Sequence, residues 1–246
     1  MGSPAAAIPK PLQRGYWAQT RTWTYAALLA LPVMALYEVG VRLVDRATGT
    51  GIRNGADAIL RSFVALAGRG GSLVLPIAVT LVLVGFALKD RKRAQVRRDW
   101  LAYAVLEAFG YALIFGGVAG RLTALLLPRA LGTGLDAMPP WAQAVLSLGA
   151  GFYEEVLFRG IVLGGLRWGL GLWLSPTKRD AAAVLISATL FSAYHHLLGD
   201  PFHVSVFVFR LVAGVLLSLL LVLRGFGITV LTHAFYDVLF TFGLGL

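Results

Sequence analysis

Long apolar stretches separated by short polar turns dominate the chain. The first, "WTYAALLALPVMALYEVGVRLV" (about residues 23–44), is long enough for a spanning helix, which needs about 20 mostly apolar residues. Others cover about residues 72–88, 100–127, 141–174, 181–198, 202–223 and 228–246. The pattern predicts an all-α polytopic membrane protein with about seven transmembrane helices, six to eight by the span-length criterion. The stretch at 141–174 exceeds one untilted span, so it is expected to break at Gly164–Gly165 or to run past the headgroups. Between the first two stretches, Ile59, Leu60, Phe63, Val64 and Leu66 recur at helical spacing among charged residues. That piece reads as a short interfacial helix or a solvated loop helix. Proline and glycine in "PRALGTGLDAMPP" (128–140) interrupt the pattern, and "GDP" (199–201) makes another turn.

Composition agrees with the pattern. Hydrophobic residues make up 58% and charged residues 14%, against roughly 45–50% and 25% in soluble domains. The net charge of +10 would suggest nucleic acid in a soluble protein. Here the basic residues collect in loops, as the positive-inside rule produces, and no nucleic-acid partner is expected. "KDRKRAQVRR" carries Lys89, Arg91, Lys92, Arg93, Arg97 and Arg98 against Asp90 alone. Alternation from that loop places the N-terminus (Lys10, Arg14, Arg21), "TKR" at 177–179 and Arg224 on the same, cytoplasmic side. The expectation is a multi-pass protein of the cell (inner) membrane. Tryptophans fall mostly at the inferred span ends. Cysteine is absent, which removes disulfides, thiolate catalysis and zinc–sulfur sites. No cleavable signal peptide is expected ahead of Trp17, and Ala6 breaks a myristoylation motif at Gly2.

Ionisable groups inside spans cost about 2.5–3.5 kcal/mol each at a helix centre, so they mark function by default. They concentrate in the carboxyl-terminal half: Glu154, Glu155, Arg159, His195, His196, Arg210, His233 and Asp237. Glu155 and Arg159 have the i,i+4 spacing and order of a helical ion pair. Glu154, about 100° round an α-helix, is then free to act as a general base. Phe191 and His195 share a face, so the ring can wall one side of the imidazole. His233 and Asp237 are again i,i+4, and an acceptor there can fix a ring's tautomer. His196 and His203 read more simply as packing or interfacial residues. One free glutamate and two histidines on separate helices can activate water and stabilise a tetrahedral oxyanion.

The ordered motifs "EEVLFR" (154–159), "FSAYH" (191–195) and "HAFYD" (233–237) resemble those of the CPBP family of CAAX proteases and bacteriocin-processing enzymes, the Abi group of glutamate-type intramembrane endopeptidases. The resemblance covers about residues 140–246, leaving 1–139 as motif-free helices within one integrated membrane domain. It implies a four-helix catalytic core, with Glu154 as general base, His195 as its partner in activating water, and His233 with Asp237 at the oxyanion site. Glu155, Arg159 and Phe191 would support that arrangement. Many relatives have asparagine where this chain has Asp237; an ionised aspartate cannot donate, so its expected role is to orient His233. The implied activity is hydrolysis of a membrane-associated protein or peptide, with the lipid bilayer as the other partner.

Other readings remain. Glu154, His195 and His233 could form a His₂Glu zinc set, but HExxH is absent and no other base would be evident, so a metal-free, cofactor-free mechanism is expected. A non-catalytic scaffold or immunity protein on the same fold is a second class. Proton-coupled transport is a third, disfavoured by the absence of an inverted repeat. Arg210 would pair structurally or approach a substrate carboxylate. Helical rise puts Glu154 and His195 at levels differing by roughly 10 Å if every stretch starts at a membrane surface.

Overall fold

A computed structural model describes residues 15–66, 68, 71–126, 138–197 and 201–244. The N-terminal features at Gly2, Ala6, Lys10 and Arg14 lie outside the described residues, as do most of the expected turn at 128–140 and part of "GDP". All regular structure among them is helical. A short α1 (Tyr16–Gln19) precedes α2 (Trp23–Thr48), α3 (Gly55–Leu66), α4 (Val74–Asp90) and α5 (Arg98–Leu126). Then come α6 (Pro140–Gly149), a π-helical segment (Ala150–Leu163), α7 (Gly164–Leu170), α8 (Pro176–Leu197), α9 (Val204–Arg224) and α10 (Phe226–Thr241).

The chain is an all-α polytopic membrane protein. By length and composition α2, α5 and α9 can each cross a bilayer. Their outward side chains, Leu36, Leu106 and Leu219 among them, are apolar and exposed, as lipid contact requires. The helix from α6 to α7 and α8 carry charged residues that dilute their hydropathy. At Gly164–Gly165 the backbone does not break; π winding returns to α there, with Gly164 in the right-handed helical region.

At the centre lies α10, packed against α2, α5, α6, the π segment and α9. From Phe226 to Ala234 every residue is buried, so an apolar surface all round suits its position. Two glycines make that packing possible. Gly225 enters α10 at φ 83°, with room for no more than a hydrogen where Arg21 passes. A Cβ on Gly151 would sit 2.5 Å from that of Ala234, so only glycine lets the π segment meet α10 this closely.

At the basic end, Gln19 and Tyr25 hydrogen-bond the backbone of Gln95, and Asp90 accepts from the Trp23 amide and the Thr24 hydroxyl. Arg224, expected in a loop, is buried instead. It pairs with Glu107 at 2.5 Å and lies over the Trp17 ring at 3.8 Å, so it balances the acid inside α5. The helix expected within 45–71 is α3. Ala56, Asp57 and Leu60 are buried against neighbouring helices, so it is not a solvated loop helix, while Phe63 and Leu66 face outward.

Candidate active site

The π segment carries the first motif. An i→i+5 ladder is rare and tends to occur at functional sites; here it displaces the side chains from the α-helical positions assumed from spacing alone. Tyr153 is anchored by a 2.8 Å hydrogen bond from its hydroxyl to Glu38 on α2. Its neighbour Glu154 is 3% exposed and sits where the π segment, α3, α8 and α10 meet.

Glu154 divides its two oxygens between different tasks. Oε1 accepts a 3.0 Å hydrogen bond from Asn54 Nδ2. Oε2 lies 3.8 Å from Nε2 of His195 and 3.9 Å from Nε2 of His233. Those separations exceed a direct hydrogen bond and suit one bridging water. The Tyr194 hydroxyl faces the same carboxylate.

Each imidazole is held from its far side. His195 Nδ1 is 2.9 Å from the Phe191 carbonyl, which can only accept, so this nitrogen carries the proton and Nε2 presents a lone pair to Glu154. His233 Nδ1 is 2.8 Å from Glu155 Oε1. Spacing assigns the orientation of His233 to Asp237; at Nδ1 it is Glu155 Oε1 that accepts from the ring, and Asp237 Oδ2 stands 3.4 Å from Nε2. Glu155 also pairs with Arg159 at 3.2 Å, both fully enclosed. The Arg159 guanidinium donates to the Gly214 carbonyl and lies 4.7 Å from the Phe191 ring centroid. Phe191 stands edge-on to both imidazoles, at 5.1 Å from His195 and 6.1 Å from His233.

Glu154, Glu155, Arg159, Phe191, His195, His233 and Asp237 therefore converge. The level difference of roughly 10 Å disappears because α8 ends at Leu197, beside Glu154, while the longer helix runs on to Pro140. Arg210 acts electrostatically on His195 from α9. His196 packs between Phe202 and Phe207, and His203 precedes α9. Among the described residues no group of three or more His, Asp and Glu has the geometry of a metal site.

Residues 136–239 match the model of a family described as Rce1-like, the type II CAAX prenyl endopeptidases. That segment, less than half of the chain, bears the site and is similar to this family. No curated protein and no solved structure matches the chain. The Rce1-like segment includes all three motifs and Arg210, and excludes α2 and α3.

Those two helices complete the site, and motif spacing did not reveal them. Asn54 caps α3, its Oδ1 accepting from the amides of Ala56 and Asp57 at 2.9 and 3.4 Å. This settles which way the amide faces: Oδ1 serves the helix, so Nδ2 serves Glu154. The backbone N–H of Asn54 donates to the Tyr37 hydroxyl, which donates to Asp57 at 2.9 Å. Arg53 and Arg61 pair with Asp57, and Arg61 also with Glu38. In the sequence, Asn54 followed three residues later by Asp57 signals a helix start, but nothing local names Glu154 as its partner.

Asn54 is placed to hold the Glu154 carboxylate in position. Asn54→Ala is expected to lower turnover up to about 100-fold, the scale of a misplacement of about 1 Å. Asn54→Asp retains the α3 cap but cannot donate. If capping alone mattered, Asn54→Asp would restore turnover; the expectation is that it does not, with KM little changed in either variant.

Proposed function

We propose that the chain is an intramembrane endopeptidase that hydrolyses a membrane-associated protein or peptide with a water activated by Glu154. The match of residues 136–239 to the Rce1-like family supports a CAAX-type intramembrane protease at the coarse level. The observation that carries the finer reading is the equidistance of Glu154 Oε2 from two imidazole nitrogens, each ring fixed from behind.

Glu154 takes a proton from the water, and the Nε2 lone pair of His195 directs it. The oxygen adds to the carbonyl carbon of the scissile peptide. Both nitrogens of His233 face carboxylate oxygens, an arrangement served by a ring with protons on both. Its Nε2–H then turns to the developing oxyanion, a preorganised donor in a site from which bulk water is excluded. Glu154 returns its proton to the amide nitrogen, the C–N bond breaks, and the amine product departs. Arg159 and a doubly protonated His233 balance Glu154 and Glu155, so the enclosed charges do not stand unpaired.

The test is peptide hydrolysis by the purified protein reconstituted in lipid. This mechanism uses no metal, so dialysis against a strong zinc chelator is expected to leave the rate unchanged. Loss of activity on dialysis and its recovery with added zinc would favour the His₂Glu alternative. The N-terminus is proposed to be cytoplasmic and the chain to reside in the cell membrane.

A further inference from the structure

We infer that the active site admits its substrate from the face opposite the basic loops, so that the substrate is a polypeptide segment already translocated out of the cytoplasm. This rests on the hydrolase reading and adds a direction to it. Two independent observations carry it.

The first is charge. At one end of the bundle lie the 89–98 loop and the ion-paired cluster of Arg167, Arg179 and Asp180. The loop charges are exposed, with Asp90 and Asp99 as their acids. At the other end, Arg53 and Arg61 are absorbed in pairs with Asp57 and Glu38, leaving Arg42, Arg46 and Arg121 exposed with Asp45, fewer free cations than the basic end carries. The positive-inside rule places the first end in the cytoplasm.

The second is which side of the site is closed. Moving from Glu154 toward the basic end, the π segment presents Phe158, Arg159 and Leu163, all buried. On α8 the same direction meets Ala188 and Ser187, and on α10 the unbroken buried run down to Phe226. Gly214 packs closely against Ala188, where a Cβ would stand only 3.0 Å from it, which closes the seam between α8 and α9. Moving the other way, the site reaches the surface. Asp237, one turn from the end of α10, is 28% exposed at its side chain, and His195, near the end of α8, is 21% exposed. Asn54, which starts α3, stands at this same end. Helical rise puts Tyr37 about 20 Å above Trp23, so the site lies in the outer half of a core about 30 Å thick.

A peptide entering here meets Asp237 and His195 first and Glu154 beneath them. Arg159 and Phe191 form the floor and bar approach from the cytoplasm. The substrate class is therefore an outward-facing or secreted polypeptide cut within or beside the outer leaflet, rather than a tail presented in the cytoplasm.

The cysteine-free chain allows a direct test. Single cysteines are introduced as His203→Cys and Asp237→Cys at the open end and Arg91→Cys at the basic end. Intact cells are then treated with a membrane-impermeant maleimide. His203→Cys and Asp237→Cys are expected to label at once, and Arg91→Cys only after permeabilisation. Thr241→Cys, one turn further along α10, replaces Asp237→Cys if that variant fails to insert. Labelling of His203→Cys only after permeabilisation would overturn the orientation. Labelling of His203→Cys from outside, with the α10 cysteine reached only from the cytoplasm, would overturn the direction of access. In cells carrying Glu154→Gln, the accumulating precursor should be digestible by external protease; a precursor shielded in intact cells would refute the substrate class. If no precursor accumulates, the hydrolase reading fails while the labelling result stands.

Discussion

Glutamine at position 154 is expected to reduce peptide hydrolysis by about 10²–10⁴-fold, the usual contribution of a positioned general base. The substitution keeps the shape of the side chain. Its amide oxygen can still accept from Asn54, whose own orientation is held by the α3 cap. What it loses is a lone-pair oxygen between the two Nε2 atoms that can take up a proton from water. An amide is also easier to bury than an ionised carboxylate, so the folded protein should lose no stability. Rates on the reconstituted protein, with thermal unfolding in detergent as the control, separate the two effects. A Glu154→Gln variant retaining more than about a tenth of the rate would remove Glu154 from the role of base, since general-base losses begin near a hundredfold.

Arg159→Ala carries the second large effect, and this one falls on folding. Arg159 is enclosed, with Glu155 at 3.2 Å, the Gly214 carbonyl at 3.1 Å and the Phe191 ring beside it. Truncation leaves two buried carboxylates, Glu154 and Glu155, to share the single positive charge of His233, at a cost of about 3–5 kcal/mol. Much of a marginal protein's stability would go, and poor insertion or a lowered Tm is expected. The double variant Glu155→Gln/Arg159→Met removes both charges and should recover most of that stability. It should not recover activity, because His233 loses the carboxylate that fixes Nδ1. If Arg159→Ala were as stable as the parent protein, the pair would not be holding the site together. If the double variant hydrolysed peptide normally, His233 would not depend on Glu155.

Much of this arrangement was legible before any coordinates. The apolar stretches correspond to helices because backbone polar groups in lipid have to be satisfied within the segment. The Glu155–Arg159 and Phe191–His195 pairs follow from helical spacing, since each lies within about one turn. Two features lay outside what spacing can state. The π winding of 150–163 is a cooperative feature of the packed helix, and residue types at i,i+4 do not announce it. Asp237 has the spacing to orient His233, yet Glu155 from another helix takes the ring nitrogen. Asn54 escaped notice because a capping asparagine in a charged loop is common, and its partner lies 100 residues away.

The order of amino acids alone determined that this is a helical membrane protein, which end is rich in cations, and which side chains are the candidates for chemistry. Those properties depend on composition and on neighbours within a helical turn. Only the tertiary structure decided that Asn54 and the two imidazoles take different Glu154 oxygens, that Glu155 reaches His233, and that Arg159 is enclosed while Asp237 is partly exposed. Contacts between helices depend on where each begins, how it is wound and how closely glycines such as Gly151 let neighbours approach, and local periodicity does not encode that register.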